Sequence, residues 1–210
     1  MKLKGLFLSL FSVILLSCGG VPVSKIKNGD LVFVSAEKKN LSGAISRVTQ
    51  KDMETSFDHV GLVEVGNGQV FVLHAAPDGG SKKELLQKFI NSQTEKNKEL
   101  VLFRLKSEYQ FSIVSAVETA NKMLGKPYNF NYILSESEYY CSDFIQRAFR
   151  KSQIFELNPM SFINPTTGKT DEFWQKYYNE RGIEIPEGKL GCNPNGLSRS
   201  PKLMRIGKIK

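Results

Sequence analysis

Residues 57–80 read FDHVGLVEVGNGQVFVLHAAPDGG, two β-rich runs around Gly66-Asn67-Gly68, and no other stretch narrows the fold as much. Asn-Gly between alternating apolar residues is a strong hairpin signal, because a two-residue turn needs residues that accept positive φ. The chain's two histidines, His59 and His74, both fall on this hairpin. Their relation depends on the turn. A loop at Gly66-Asn67 sets them directly opposite, and a loop at Asn67-Gly68 makes them diagonal neighbours on one face. Only a three-residue loop without a bulge sends them to opposite faces. Two of these registers hold the imidazoles within about 4.5–8 Å at Cβ. A lone strand histidine is ordinarily a hydrogen-bonded structural residue. A pair in register suits proton transfer, one ring acting as base while a second polar group fixes its tautomer.

A cysteine opens the segment YYCSDFIQRAFRK, residues 139–151. Phe144, Ile145, Ala148 and Phe149 follow Cys141 at the spacing of an amphipathic helix, with Ser142, Asp143, Gln146, Arg147, Arg150 and Lys151 off that stripe. A thiol at that place is either core filling or a nucleophile whose thiolate the helix N-terminus favours. The residues alone leave both open. His59, His74 and Cys141 would also make a His2Cys zinc set with an open position. No HxH, HxxxH or CxxC pair is present and no carboxylate falls into place, so neither a metal nor another cofactor is expected.

The first residues, MKLKGLFLSLFSVILLSCGG, have the basic start, short apolar run and small-residue end of a targeting segment. Leu6 to Leu16 is too short to span a bilayer, which takes about 20 residues. Leu15-Leu16-Ser17-Cys18 resembles a bacterial lipobox. Residues 1–17 are therefore expected to be a lipoprotein signal peptide, with Cys18 the lipid-attachment residue and 18–26 a tether. That places the protein in the bacterial cell envelope, lipid-anchored to a membrane, on the periplasmic side. Without residues 1–17 the chain has 27 Lys+Arg against 21 Asp+Glu, a net charge of +6. The lysines are dispersed and no basic helix is interleaved with aromatics, so nucleic acid is not a partner. Residues 27–210 suit one domain with a substantial core. Cys141 and Cys192 have a spacing that permits one disulfide. Cys192 otherwise reads as a surface cysteine, or as a free thiol if the tail folds over the site.

A strand is expected over Leu31–Val34, a helix over Leu41–Gln50, the hairpin over 57–80 and a helix over Lys82–Ile90. Another strand at Leu100–Leu105 and a helix from Ser107 to Leu124 follow, then an aromatic loop, Tyr128 to Tyr140, before the cysteine helix. Asp171–Glu180 reads as a further helix, and the Pro- and Gly-rich tail from Ile183 as a surface wrap. The class is α+β, an antiparallel sheet packed against helices.

Five pieces carry a resemblance: Gly-Asp-Leu-Val-Phe (29–33), Asp-His-Val-Gly-Leu-Val (58–63), Val-Phe-Val-Leu-His-Ala (70–75), Leu-Gly-Lys-Pro-Tyr-Asn-Phe (124–130) and Tyr-Cys-Ser-Asp (140–143). In this order they resemble the permuted papain-fold amidases of the YiiX-like group, relatives of NlpC-type cell-wall peptidases and of lecithin:retinol acyltransferases. The resemblance covers roughly residues 27–150 and implies a circularly permuted papain-like fold. It implies that Cys141 attacks a carbonyl, that His59 is its base and that His74 orients His59. The third position is often glutamate in YiiX-like chains and histidine in NlpC-type ones. Tyr128 matches a substrate-binding tyrosine. A low-pKa thiolate–imidazolium pair of Cys141 and His59 is then expected, with the Cys141 amide facing an oxyanion. Asp143, about 200° around the helix, should disturb the thiolate little and help cap the helix end. The implied function is hydrolysis of an amide, in a cell-wall peptide or an N-acyl amino acid or lipid amide, by a monomer. Lipid acyl transfer, thioester hydrolysis and a ligand-binding module without turnover are the alternatives. An acyl substrate would need an apolar cleft, for which Phe130, Tyr132, Tyr139 and Tyr140 are candidates.

Overall fold

A computed structural model describes residues 20–49 and 55–210, so the targeting segment and Cys18 lie outside the described residues. Leu31 to Val34 is apolar without alternation, which suits a strand covered on both faces. It becomes β1 (Leu31–Ser35), in the middle of a six-stranded sheet. The others are β2 (Phe57–Gly66), β3 (Gln69–Ala76), β4 (Gly80–Leu85), β5 (Leu100–Leu105) and β6 (Leu203–Lys208). Their spatial order is β6-β5-β1-β2-β3-β4, and every neighbouring pair is antiparallel.

Successive residues serve opposite cores. Leu31, Phe33, Leu62, Leu73 and Phe103 join a large core with helices α3 (Ile113–Lys122), α4 (Cys141–Phe149) and α5 (Glu172–Asn179). Val32, Val34, Val63, Val72 and Leu102 face a smaller core that Leu86, Phe89 and Ile90 of α2 (Leu86–Thr94) close. Helix α1 (Asn40–Thr49) is tied to α5 by Arg47, whose Nε and Nη2 donate to Asp171 at 2.6 and 2.9 Å. The architecture is the expected α+β one.

The hairpin turns at Asn67-Gly68, both with positive φ, and pairs Gly66 with Gln69. This is the register that makes His59 and His74 diagonal neighbours. Four expectations fail. Lys82–Leu85 is strand rather than helix, because Gly80–Leu85 pairs along β3 and the helix starts only at Leu86. Residues 107–112 form a 3-10 turn ahead of α3. The tail does more than wrap: it forms α6 (Pro194–Ser198), and then β6 completes the sheet edge against β5. The stretch expected as a tether is itself packed from Val21 on, since Val21 N–H donates to Lys208 O at 2.6 Å and Ile26 is buried. Among the described residues no helix is long and apolar enough to cross a membrane.

Gly80 fixes the loop that leads to the site. It has φ +66°, and a Cβ there would meet the Lys126 carbonyl oxygen, which accepts from Ser81 N at 2.8 Å. Gly80→Ala therefore combines a left-handed conformation with a backbone collision. We expect a loss of about 2–3 kcal/mol, read as a lowered urea midpoint at constant slope.

Candidate active site

Tyr140 is extended (φ −93°, ψ 166°), and its carbonyl accepts from Phe144 N at 2.9 Å, so α4 starts at Cys141. The first amides of a helix have no intrahelical acceptor. No side chain caps this end. Asp143, expected to help, is fully buried and instead accepts from Arg147 Nε at 2.8 Å, while Arg147 Nη1 donates to Glu136 at 2.7 Å. Burial pushes Asp143 up to about 6, against the pull of Arg147. All nine residues of α4 are buried. The polar side is covered by the later chain: Ser142 Oγ donates to Cys192 O at 3.1 Å and Gln146 Nε2 to Phe155 O at 3.4 Å.

The helix end abuts β2 where the sheet is irregular. β2–β3 pairing stops at Leu62–Leu73, and on the other side Val34 faces His59 while Ser35 faces Phe57, leaving Asp58 as a bulged residue. Cys141 Sγ lies there, donating to Asp58 O at 3.8 Å, with the amides of Val60 and Ser142 and the Tyr128 hydroxyl also directed at the sulfur. The sulfur thus rests on the two residues that flank His59. Burial pushes the thiol up to about 12, the Asp58 charge adds to this, and the two amides and Tyr128 oppose it. Burial likewise holds His59 well below the ordinary histidine value, helped by His74 and Lys98. The expected thiolate–imidazolium pair is therefore not the resting state. Desolvation disfavours both charges and outweighs the helix end, leaving a neutral thiol and a neutral imidazole.

Behind His59 runs a chain of polar contacts. His59 Nε2 is 2.8 Å from His74 Nδ1, and His74 Nε2 is 2.8 Å from Glu84 Oε1. Phe89 packs against both rings, with centroids 6.0 and 5.1 Å away. The bond to His74 holds the Glu84 carboxyl below its usual range, so it is an acceptor. The tautomers follow in sequence. With His74 as a neutral imidazole, an ionised Glu84 requires N–H at His74 Nε2, which makes His74 Nδ1 an acceptor and so requires N–H at His59 Nε2. The nitrogen of His59 left with a lone pair is Nδ1. Sequence reasoning missed Glu84. The Pro77-Asp78-Gly79-Gly80 turn was its one signal: once it pairs Ala76 with Gly80, His74 faces Lys82 and Glu84 lies two residues on, on the same face.

A family model described as permuted papain-like amidase enzyme, YaeF/YiiX, C92 family, matches residues 25–207. The chain belongs to this amidase family. It is 24% identical over 185 residues to the uncharacterized protein YiiX of Escherichia coli (strain K12), covering 87% of this chain and 86% of that protein. Its fold is similar to the crystal structure of metalloprotein yiiX from Escherichia coli O157:H7, with TM-score 0.66, 24% identity, and coverage of 87% and 97% of the two chains.

The E. coli protein is described as a metalloprotein. In this amidase the histidine nitrogens that face each other are spent on their mutual hydrogen bond, and the outer nitrogen of His74 on Glu84. Among the described residues no group of three or more His, Cys, Asp and Glu is placed to hold a metal ion. The donors do not fit one.

On the other side of the thiol the amidase has a cavity of about 730 Å³, with Cys141 in its wall. Of the aromatics expected to line a cleft, Tyr132 and Tyr140 do so. Phe130 is half-exposed and Tyr139 packs beneath Arg147, 5.1 Å from its guanidinium. Tyr128 sits against the sulfur, outside the cavity lining. Cys192 is no plain surface residue: it lines the cavity, half-buried, and its N–H donates to Tyr140 Oη at 3.3 Å. Cys141 and Cys192 are both free thiols.

Proposed function

We propose that this amidase works through a thioester acyl-enzyme on Cys141, with His59 as the base and His74 and Glu84 as positioning residues. The observation that carries the reading is the relay of two 2.8 Å contacts ending in a carboxylate, set behind the strand residues that hold the sulfur. With a thiol at about 12, the proton leaves during attack rather than before it. As Sγ bonds to the carbonyl carbon, the proton passes to His59 Nδ1 and the carbonyl π pair moves onto oxygen, near the Cys141 amide. Collapse expels the amine, which takes the proton from His59. Water then attacks the thioester with His59 again as base, releasing the acid and the thiol. The lipidated Cys18 expected from the Leu-Leu-Ser-Cys tetrad is part of this reading, and sets the enzyme on a membrane of the cell envelope.

The test is acid quenching during turnover of p-nitrophenyl butyrate, followed by peptide mass spectrometry. A butyryl group on the Cys141 peptide, absent in Cys141→Ala together with all turnover above buffer, is the expected result. Butyrylation of Cys192 or of lysines alone would overturn the reading. The pH dependence has a definite sign. His59 works as a base only when neutral, and its lowered pKa keeps it neutral below the ordinary 6.5. The acid limb of kcat/KM is expected below pH 6.5. Iodoacetamide alkylation of resting Cys141, in contrast, should climb from pH 7 through 9 without a plateau at pH 5–6.

A further inference from the structure

An anchor at Cys18 has almost no slack. Val21 is already part of the sheet's margin: it bridges to Ile209, its N–H donates to Lys208 O at 2.6 Å, and its carbonyl accepts from Lys210 N at 3.3 Å. Cys18 stands three residues before it. Even fully extended, three residues reach only about 11 Å. A lipid on Cys18 therefore keeps Val21 close to the headgroups.

Strand register shows what else lies at that level. Ile209 N donates to Leu100 O at 2.9 Å, Leu100 pairs with Val34, and Val34 pairs with His59. Val21, Ile209, Leu100, Val34 and His59 form one row across the same end of the sheet, four strand spacings or about 19 Å wide. Exposed lysines follow that row. Lys38 and Lys39 come just after β1, Lys96 between α2 and β5, and Lys210 after β6. None of these four has an ion pair among the described residues. The acids around them are mostly engaged: Glu99 with Lys208 at 2.7 Å, and Asp58 and Glu37 with Lys98 at 2.7 and 3.6 Å. Glu95, beside Lys96, is unpaired among the described residues. The opposite end of the sheet carries the exposed Phe111 and Val114, after β5 and beside Gly29. The six residues of β5 put about 17 Å between the two ends, beyond the reach of Cys18 from Val21.

We infer that the end of the sheet that holds His59 is the membrane-facing surface: the lipid on Cys18 pins it beside Val21, and anionic phospholipid headgroups meet Lys38, Lys39, Lys96 and Lys210. The inference rests on the lipidated Cys18 of the reading above and adds the surface that meets the bilayer. Each lysine at an anionic leaflet gains about fivefold in occupancy there, and the attraction fades within a Debye length of about 8–10 Å. Lys27, at the far end of β1, and Lys176, on α5, then stay in water.

The test is acetylation by a sulfo-N-hydroxysuccinimide ester of the full lipidated chain, first in neutral detergent and then on vesicles of phosphatidylethanolamine and phosphatidylglycerol, read by peptide mass spectrometry. The rates at Lys38, Lys39, Lys96 and Lys210 should fall about fivefold or more on the vesicles, with Lys27 and Lys176 within about twofold. Unchanged rates at all six would mean that the domain tumbles clear of the surface, which overturns the inference. Protection of Lys27 in place of the four would set the Phe111 end on the bilayer, and overturns it too. The intact mass of the same sample separates the two claims. Without a diacylglyceryl group on Cys18 the lipoprotein reading fails and the inference goes with it, while the acyl-enzyme on Cys141 is untouched.

Discussion

His59→Ala is expected to lower kcat/KM on p-nitrophenyl butyrate by about 10³-fold, within the range known for loss of a general base. The reason is specific to this site. Cys141 is pushed up to about 12, so almost none of it is thiolate at neutral pH, and attack needs a base during the step. An enzyme with a preformed thiolate would lose less in the first chemical step. The relay behind His59 should show a graded loss, about 10- to 10²-fold for Glu84→Gln. A glutamine amide can present its NH2 to His74 Nε2. That turns His74 around, forces His59 Nε2 to accept and puts the proton on Nδ1, the nitrogen meant for the thiol. Since neither His74 nor Glu84 touches substrate, the loss should fall on kcat with KM nearly unchanged. Glu84→Asp should restore part of it. A purely structural Glu84 would move stability and leave the kcat-to-KM split and the rescue absent.

How much of this was readable beforehand differs residue by residue. The hairpin and its two histidines were legible because turn chemistry and period-two alternation are local, although Gly66-Asn67-Gly68 left three registers open and the pairing of Gly66 with Gln69 selects among them. Glu84 was not. Ser81-Lys82-Lys83-Glu84 has no β-branched or aromatic residue, while Leu85, Leu86, Phe89 and Ile90 have helical spacing. Pairing with β3 overrode that local preference. The thiol's state was misjudged for a related reason. The helix end at Cys141 is visible in the sequence, but the burial that opposes it comes from β2 and from the chain around Cys192, more than fifty positions later in the second case. The same distance hid the place of β6, since nothing near Leu203 says that its partner is Leu105.

Arg104→Met is expected to lower the unfolding free energy by about 3–5 kcal/mol, the usual loss when one partner of a buried pair is removed. Asp30 ends the turn into β1, with its side chain 1% exposed. Its carboxylate accepts from Arg104 Nε at 2.6 Å, Arg104 Nη2 at 2.7 Å and Lys27 N at 2.7 Å, and Arg104 Nη2 also donates to Lys25 O at 2.9 Å. Without the guanidinium a desolvated carboxylate keeps a single donor. Asp30→Asn should lose less, about 2–3 kcal/mol, because Arg104 is 16% exposed and water reaches it, and because the asparagine oxygen still accepts from Lys27 N. The double variant Asp30→Asn with Arg104→Met should lose at least about 1 kcal/mol less than the sum of the two, since it leaves no buried charge without a partner. Urea midpoints at constant slope measure all three; additive losses would mean that the pair is not coupled. The strand that Asp30 opens also holds the hairpin, through Val63 N donating to Asp30 O at 2.8 Å and Gly29 N to Val63 O at 2.9 Å. These backbone bonds survive either substitution. The folded fraction should therefore keep kcat within about twofold, because what is lost is the anchorage of the sheet and not the geometry around His59.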